Sequence, residues 1–217
     1  MKVLGIETSS SRGGVTAVDG GRTLAEVELP DKRHHAQALF PAVEECLEAA
    51  SFELGQLEGL AVSAGPGSFT GLRVGMACAK GLAWAAGLRV ACVRTLSALL
   101  RDVACGRKGI VACVTHAFQG KVYALIGRAD GEVEELGPDE VIEPARLLER
   151  LPPGAVLFGD GAAVYAEIFD GCEIHAGPSA PRASTVALMG EEMLLHVILI
   201  LGGNGTLFGT LLQQHAS

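Results

Sequence analysis

Basic residues are scarce in this sequence, and that scarcity limits what the chain can bind alone. Lys and Arg number 17 against 25 Asp and Glu, for a net charge of −8. Gripping nucleic acid requires clustered Lys and Arg that neutralise phosphates. We therefore expect any contact with RNA to depend on a partner that supplies the basic surface. Hydrophobic residues make up 49% of the chain, which is typical of a globular protein.

Metal-binding and disulfide patterns are also missing. The six cysteines form no CxxC pair, and the six histidines lack metal-ligand spacing; His34 and His35 are adjacent. Buried, reduced thiols are typical of cytoplasmic proteins, so we expect a cytoplasmic protein without a metal site.

Two apolar segments have some features of targeting or membrane signals. The opening run ends at Glu7, too soon for the apolar region of a secretory signal. The stretch Met193–Leu212 has the length of a membrane span, but His196, Asn204 and several glycines interrupt it. No basic flank follows it, so we expect no membrane span.

The string GPGSFTGLR carries the densest local signal. It matches neither the Walker pattern GxxxxGK[ST] nor GxGxxG, and the chain has no GxSxG nucleophile turn. A glycine-rich turn before a helix exposes N–H groups that can hold a phosphate, or it can simply cap the helix. The lack of a lysine or catalytic base favours a rigid structural loop. Its residues are Gly65, Gly67, Ser68, Thr70, Gly71 and Arg73.

A second phosphate candidate lies at the end of the first strand. Glu7, Thr8 and Ser9 follow an apolar run, as in actin-like and sugar-kinase-like enzymes that hold phosphate and magnesium. Asp160, in a Gly-Asp-Gly turn, is the matching acid of the second half. An ordinary strand-end turn explains the same residues.

The order of elements occurs twice along the chain. A β-hairpin, a helix, a strand and a helix are predicted in each half, so we expect two α/β lobes with mixed sheets, residues 1–102 and 103–217. Asp19-Gly20-Gly21 predicts the first hairpin turn. Helices are predicted from His35 to Ala50 and from Leu72 to Ala86.

The second of these helices is rich in small residues. Gly75, Ala79 and Gly81 lie within it, although glycine in a helix interior costs roughly 1 kcal/mol relative to alanine. Close approach of another helix would explain that cost, either within this fold or from a second chain.

Four strings together resemble the TsaB (YeaZ) family. They are MKVLGIETSS, HHAQALFPAVEECL, AVSAGPGSFTGLRVGMACAKGLAWA and GKVYAL, and the resemblance covers roughly residues 1–130. It implies an actin-like (ASKHA) fold in two lobes. It also implies a noncatalytic subunit in the synthesis of threonylcarbamoyladenosine beside the tRNA anticodon, related to the transferase TsaD.

The resemblance further implies partners and an interface. TsaD would bind to the first two helices, the ATPase TsaE would join, and a homodimer would form without TsaD. No intrinsic cofactor is implied, although ATP or ADP at the complex interface stays open, and tRNA would be reached only through the complex. The expected interface residues are Leu39, Val43, Leu47, Leu72, Gly75, Ala79 and Leu82.

Two segments depart from the family pattern. In HAFQGKVY, His116 and Phe118 stand where members usually carry an acidic and a basic residue. The C-terminal string LGGNGTLFGTLLQQHAS matches nothing expected of the family. Two alternative functions stay open: a nucleotide-binding ATPase that uses Glu7, Thr8, Ser9 and Asp160, and a peptidase that acts on TsaD.

Overall fold

Two mixed β-sheets organise the chain, whose computed structural model describes residues 1–10, 12–30, 35–175 and 177–201. The first sheet has the order β3-β2-β1-β4-β5; its first three strands are antiparallel, and β4 and β5 run parallel to β1. Its strands are β1 (Val3–Glu7), β2 (Gly13–Asp19), β3 (Arg22–Leu29), β4 (Gly59–Ser63) and β5 (Arg89–Val93).

The second sheet repeats the topology of the first. Its order is β11-β10-β6-β7-β8, and β9 also pairs with β7. An antiparallel three-stranded meander is therefore again extended by two parallel strands, which confirms the predicted pair of mixed-sheet halves. Its strands are β6 (Lys108–His116), β7 (Val122–Asp130), β8 (Glu132–Glu135), β9 (Glu140–Ile142), β10 (Val156–Phe158) and β11 (Glu173–His175).

The predicted hairpin turn of the first half is confirmed. Gly20 and Gly21 link β2 to β3 with φ of +56° and +76°. Two successive positive φ values match the right-handed twist of the flanking strands, and glycine reaches them without a steric cost.

Six α-helices and one short 3₁₀-helix (Leu54–Gln56) are found in the described residues. The helix predicted to begin at Leu72 begins three residues earlier, at Phe69, because Ser68 caps it. Gly87 ends that helix in the left-handed conformation, with φ of +66°. The helices are α1 (His35–Ala49), α2 (Phe69–Ala86), α3 (Thr95–Ala104), α4 (Pro144–Leu148), α5 (Asp160–Val164) and α6 (Ala183–Leu201).

The last helix of each half covers the sheet of the other half. Helix α3 follows the first sheet, yet Leu96 and Leu99 pack on the second sheet. Helix α6 follows the second sheet, yet Val186 and Ala187 pack on the first. The division of the chain at residue 102 stays a prediction. Helix α6 belongs to the second segment of that division, residues 103–217, although it covers the first sheet.

Glycines allow α6 to lie unusually close to the first sheet. A methyl group added at Gly190 would lie 2.2 Å from Cβ of Ala61, and one added at Gly5 would lie 2.5 Å from Cβ of Ala187. Both distances are far below van der Waals contact, so these two positions require glycine.

The apolar stretch near the C-terminus begins within α6. Among the described residues, no helix is both long enough and apolar enough to cross a bilayer. Residues 202–212 of that stretch lie outside the described residues.

A pair of matched substitutions tests the close packing of α6. We expect Gly190→Ala to lower the free energy of unfolding by about 1–3 kcal/mol, because the new methyl group overlaps Ala61. The methyl group of Gly81→Ala, in α2, meets open space. This variant should raise the free energy of unfolding by roughly 0.5–1 kcal/mol, because alanine has a higher helix propensity than glycine. Urea denaturation followed by circular dichroism measures both; a shift of the same sign in the two variants would contradict the packing.

Candidate functional site

The first turn of α2 rests on the residues that follow β1. Thr8 Oγ1 donates a hydrogen bond to the carbonyl oxygen of Gly71 at 2.8 Å. The backbone N–H of Ser68 donates to the carbonyl oxygen of Ser9 at 2.6 Å. These two bonds attach the GPGSFTGLR loop to the end of β1.

Three glycines spaced four residues apart make this contact possible, and we call Gly67, Gly71 and Gly75 the glycine line. A methyl group at Gly71 would lie 1.9 Å from the carbonyl oxygen of Thr8. At Gly67 it would lie 2.4 Å from the carbonyl oxygen of Ser9, and at Gly75 2.3 Å from Thr8 Oγ1. The chain itself therefore fills the space on the Cβ side of these three glycines.

The remaining loop residues have distinct structural roles. Ser68 Oγ accepts a hydrogen bond from the backbone N–H of Gly71 at 3.3 Å, so Ser68 is the cap, whereas Thr70 is exposed. Gly65, at a φ of +107°, exchanges two hydrogen bonds with Thr95 at the start of α3. The loop is therefore fixed at both ends.

The residues predicted as a phosphate site belong to different halves of the chain. Glu7, Thr8 and Ser9 are at most 2% exposed beneath the glycine line. Asp160 lies in the second half at the start of α5, where Oδ1 accepts from the backbone N–H of His116 at 2.9 Å. The burial of the first three residues leaves none of their side chains at the surface, so their phosphate role stays a prediction.

Glu7 is a buried carboxyl group with an altered acidity. Its Oε1 accepts from the Ser9 backbone N–H at 2.6 Å and from Ser9 Oγ at 2.5 Å. Its Oε2 is buried without a hydrogen-bond partner among the described residues. Burial raises the pKa of Glu7 to about 7, against the opposing effect of the hydrogen bonds from Ser9.

Most of the predicted interface residues are buried within the chain's own core, so their contact with a partner stays a prediction. Leu39, Val43, Ala79 and Leu82 are at most 9% exposed, and they form the core between the helices and the first sheet. Gly75 is buried against Thr8. These five residues are covered by the chain itself, because the apolar stripe of each helix faces the chain's own sheet. Leu47 and Leu72 are half-buried at the edge of this core.

The exposed sides of the same two helices carry large aromatic residues. Phe40 is 55% exposed, Phe69 62% and Trp84, the only tryptophan of the chain, 87%. The Arg73 guanidinium stacks on the Phe69 ring at 3.8 Å from its centre. The α1–α2 face is defined here as Phe40, Phe69, Arg73, Ala77, Lys80 and Trp84.

Two shallow grooves lie on either side of Ala77. One, of about 270 Å³, separates α1 from α2 and is lined by Ala36, Phe40 and Val74. The other, of about 440 Å³, runs along the far side of α2 past Phe69 and Lys80. The exposed Ala77 forms a low ridge between the two grooves. Side chains of a partner can insert into grooves of this kind.

Sequence reasoning missed these aromatic residues, although a signal was present. Phe69 and Trp84 lie outside the apolar stripe formed by Cys78, Ala79 and Leu82 in α2. A large aromatic residue on the polar side of an amphipathic helix has no core to enter. An aromatic residue outside the apolar stripe of a helix therefore predicts a binding surface better than the residues of the stripe do.

A smaller aromatic group lies in the second half. The rings of His116 and Tyr165 stack with centres 6.2 Å apart, and Phe118, in the turn after β6, is 82% exposed. His116 and Phe118 therefore present aromatic surface at the turn where the sequence departs from the family pattern.

Comparisons with known proteins identify the family. A family model described as "TsaD: tRNA N6-adenosine threonylcarbamoyltransferase" matches residues 22–174. The tRNA threonylcarbamoyladenosine biosynthesis protein TsaB of Bacillus subtilis is 30% identical over 204 residues, covering 88% of each chain. The chain belongs to the TsaB (YeaZ) family.

Further relatives of the TsaB family agree. TsaB of Escherichia coli is 34% identical over 203 residues, covering 90% of this chain and 81% of its own. The structure of YeaZ from Pseudomonas aeruginosa matches with a TM-score of 0.75 at 25% identity, covering 94% of this chain and 95% of its own. The expected actin-like (ASKHA) class of two mixed-sheet lobes with flanking helices is confirmed.

The raised pKa of Glu7 predicts a pH-dependent stability. The folded state keeps the proton up to about pH 7, whereas the unfolded chain releases it near the usual value of 4.5. Stability should therefore fall as pH rises through this window, by about 3 kcal/mol in all. Glu7→Gln cannot ionise and should remove this loss.

Urea denaturation between pH 4.5 and 8 checks the prediction. The stability of Glu7→Gln relative to the parent should rise steadily with pH across the window. The exposed Glu48→Gln is the matched control and should follow the parent at every pH. Parallel pH profiles for the parent and Glu7→Gln would mean that Glu7 titrates normally.

Proposed function

We propose that this chain is a noncatalytic subunit of tRNA threonylcarbamoyladenosine biosynthesis that binds TsaD through the α1–α2 face. The observation that carries the proposal is the clustering of three exposed aromatic side chains on one pair of helices: Phe40, Phe69 and Trp84. Tryptophan and arginine are enriched among the residues that dominate binding energy, and Arg73 lies beside Phe69.

The charges of the two helices support a specific docking orientation. Helix α2 exposes Arg73 and Lys80 and contains no acidic residue. Helix α1 exposes Glu44, Glu45 and Glu48. A partner with the reverse arrangement of charges would be steered onto this face.

The same arrangement is compatible with a second copy of the chain. In a twofold dimer, α1 of one copy can lie against α2 of the other, which pairs the acidic helix with the basic one. The proposal therefore includes a homodimer that forms when TsaD is absent and competes with TsaD for one surface.

The noncatalytic role is supported by how the end of β1 is occupied. The glycine line of α2 covers Thr8 and Ser9, and Glu7 is buried beneath it. In this proposal TsaE joins through the complex, ATP or ADP binds at the complex interface, and tRNA is held by the partners. The net charge of −8 favours that last assignment.

A bulky substitution at the ridge tests the proposed interface. Ala77 is exposed and lines both grooves, so Ala77→Trp leaves the core intact while it places a bulky side chain on the ridge between them. We expect its affinity for purified TsaD to fall about 30-fold or more, the loss typical of a disrupted binding hot spot. Isothermal titration calorimetry measures the affinity, and formation of the modified nucleoside by TsaD and TsaE should fall in parallel.

Ala163→Trp is the matched control, since Ala163 is an exposed alanine on α5 in the other half. It should bind TsaD as the parent does. Bulky changes at Gly75 or Ala79 are unsuitable because both positions are buried. Parental affinity in Ala77→Trp would refute docking on this face.

A further inference from the structure

The exchange of α3 and α6 leaves two described places where the chain crosses between the halves. One follows β5 and leads into α3; the other follows β11 and leads into α6. A hinge motion between two bodies concentrates its φ and ψ changes at such crossings. What surrounds each crossing therefore determines whether the halves can move.

An arginine is paired at the first crossing. Arg94 immediately precedes α3, and its Nη1 donates to Asp139 Oδ1 at 2.8 Å. Its Nη2 pairs with Glu135 of the second sheet. Thr95, the next residue, exchanges two hydrogen bonds with Gly65 of the GPGSFTGLR loop. That loop belongs to the first half, so the crossing is held to both halves.

An arginine is paired at the second crossing as well. Arg182 immediately precedes α6, and it donates to Asp102 of α3 through its backbone N–H at 2.8 Å, Nε at 3.1 Å and Nη2 at 2.9 Å. Thr185 Oγ1 donates to the same carboxylate at 2.5 Å. The side chain of Asp102 is only 4% exposed, so this charge depends on its partners.

The two helices also contact each other farther along. Both terminal nitrogens of Arg101 bind the Glu192 carboxylate, at 2.6 and 2.7 Å. Ala98 of α3 reaches the cluster that joins α6 to the first sheet. The connection between the halves is therefore both apolar and ionic.

We infer that these contacts lock the two halves of the chain into one rigid body, in which neither crossing acts as a hinge. Opening would break the hydrogen bonds that Arg182 and Thr185 donate to Asp102, and it would separate Ala98 of α3 from the apolar cluster of α6. The protein then presents the α1–α2 face and the second half in a fixed relation, without the opening and closing of a cleft.

Distance measurements between two spin labels test the inference on the full chain. Labels at Thr23→Cys in β3 and Glu132→Cys in β8 report on the two sheets, and both positions are exposed. The accessible thiols of Cys92, Cys105 and Cys172 are first changed to serine. The parent should give one narrow distance distribution, and a broad or double distribution in the parent would overturn the inference.

Removal of the pairs should release the lock. Asp102→Asn should broaden the distribution or add a second distance, and Arg94→Gln, a half-exposed position that the fold tolerates, should do so to a smaller extent. Arg128→Gln removes an ion pair to Glu134 within the second sheet and should change nothing. Narrow distance distributions in every folded variant would refute the ionic lock. If Asp102→Asn does not fold, the distribution of Arg94→Gln alone tests the lock.

Discussion

The contact between the glycine line of α2 and the end of β1 determines which side of α2 faces solvent. Gly67, Gly71 and Gly75 lie so close to Thr8 and Ser9 that no side chain fits between them. The helix is held in one rotation about its own axis as a result. The opposite side of the helix, with its aromatic and basic residues, is then directed outward as a binding surface.

This contact also changes the meaning of the sequence features at the strand end. A glycine-rich loop and a Glu-Thr-Ser string both suggest phosphate chemistry when they are considered separately. In the fold the two features pack against each other: the loop glycines contact Thr8 and Ser9, and Glu7 is a buried acid with a raised pKa. The actin-like architecture is retained while its strand end serves packing, which is consistent with a subunit that supports a partner.

Local patterns predict many of the elements, although β9, β11 and α6 are not among the predicted ones. The Asp-Gly-Gly turn, the caps of α2 and the repeated succession of strands and helices all follow from short-range sequence chemistry. The exchange of α3 and α6 between the halves was not predictable, because an apolar stripe shows that a helix is covered but not by which sheet. The same limitation applies to the predicted interface residues: Leu39 and Val43 have helical spacing because they face the core, whereas Phe40 and Trp84 lie outside it.

If TsaD covers the exposed side of α2, as proposed, Trp84 reports on the contact directly. Because the chain has one tryptophan, incorporation of 5-fluorotryptophan gives a single ¹⁹F resonance from a ring that is 87% exposed in the isolated chain. Titration with unlabelled TsaD should shift and broaden that resonance, and its sensitivity to solvent should fall as the ring becomes buried. An unchanged resonance, in a sample where gel filtration shows the complex, would contradict the account.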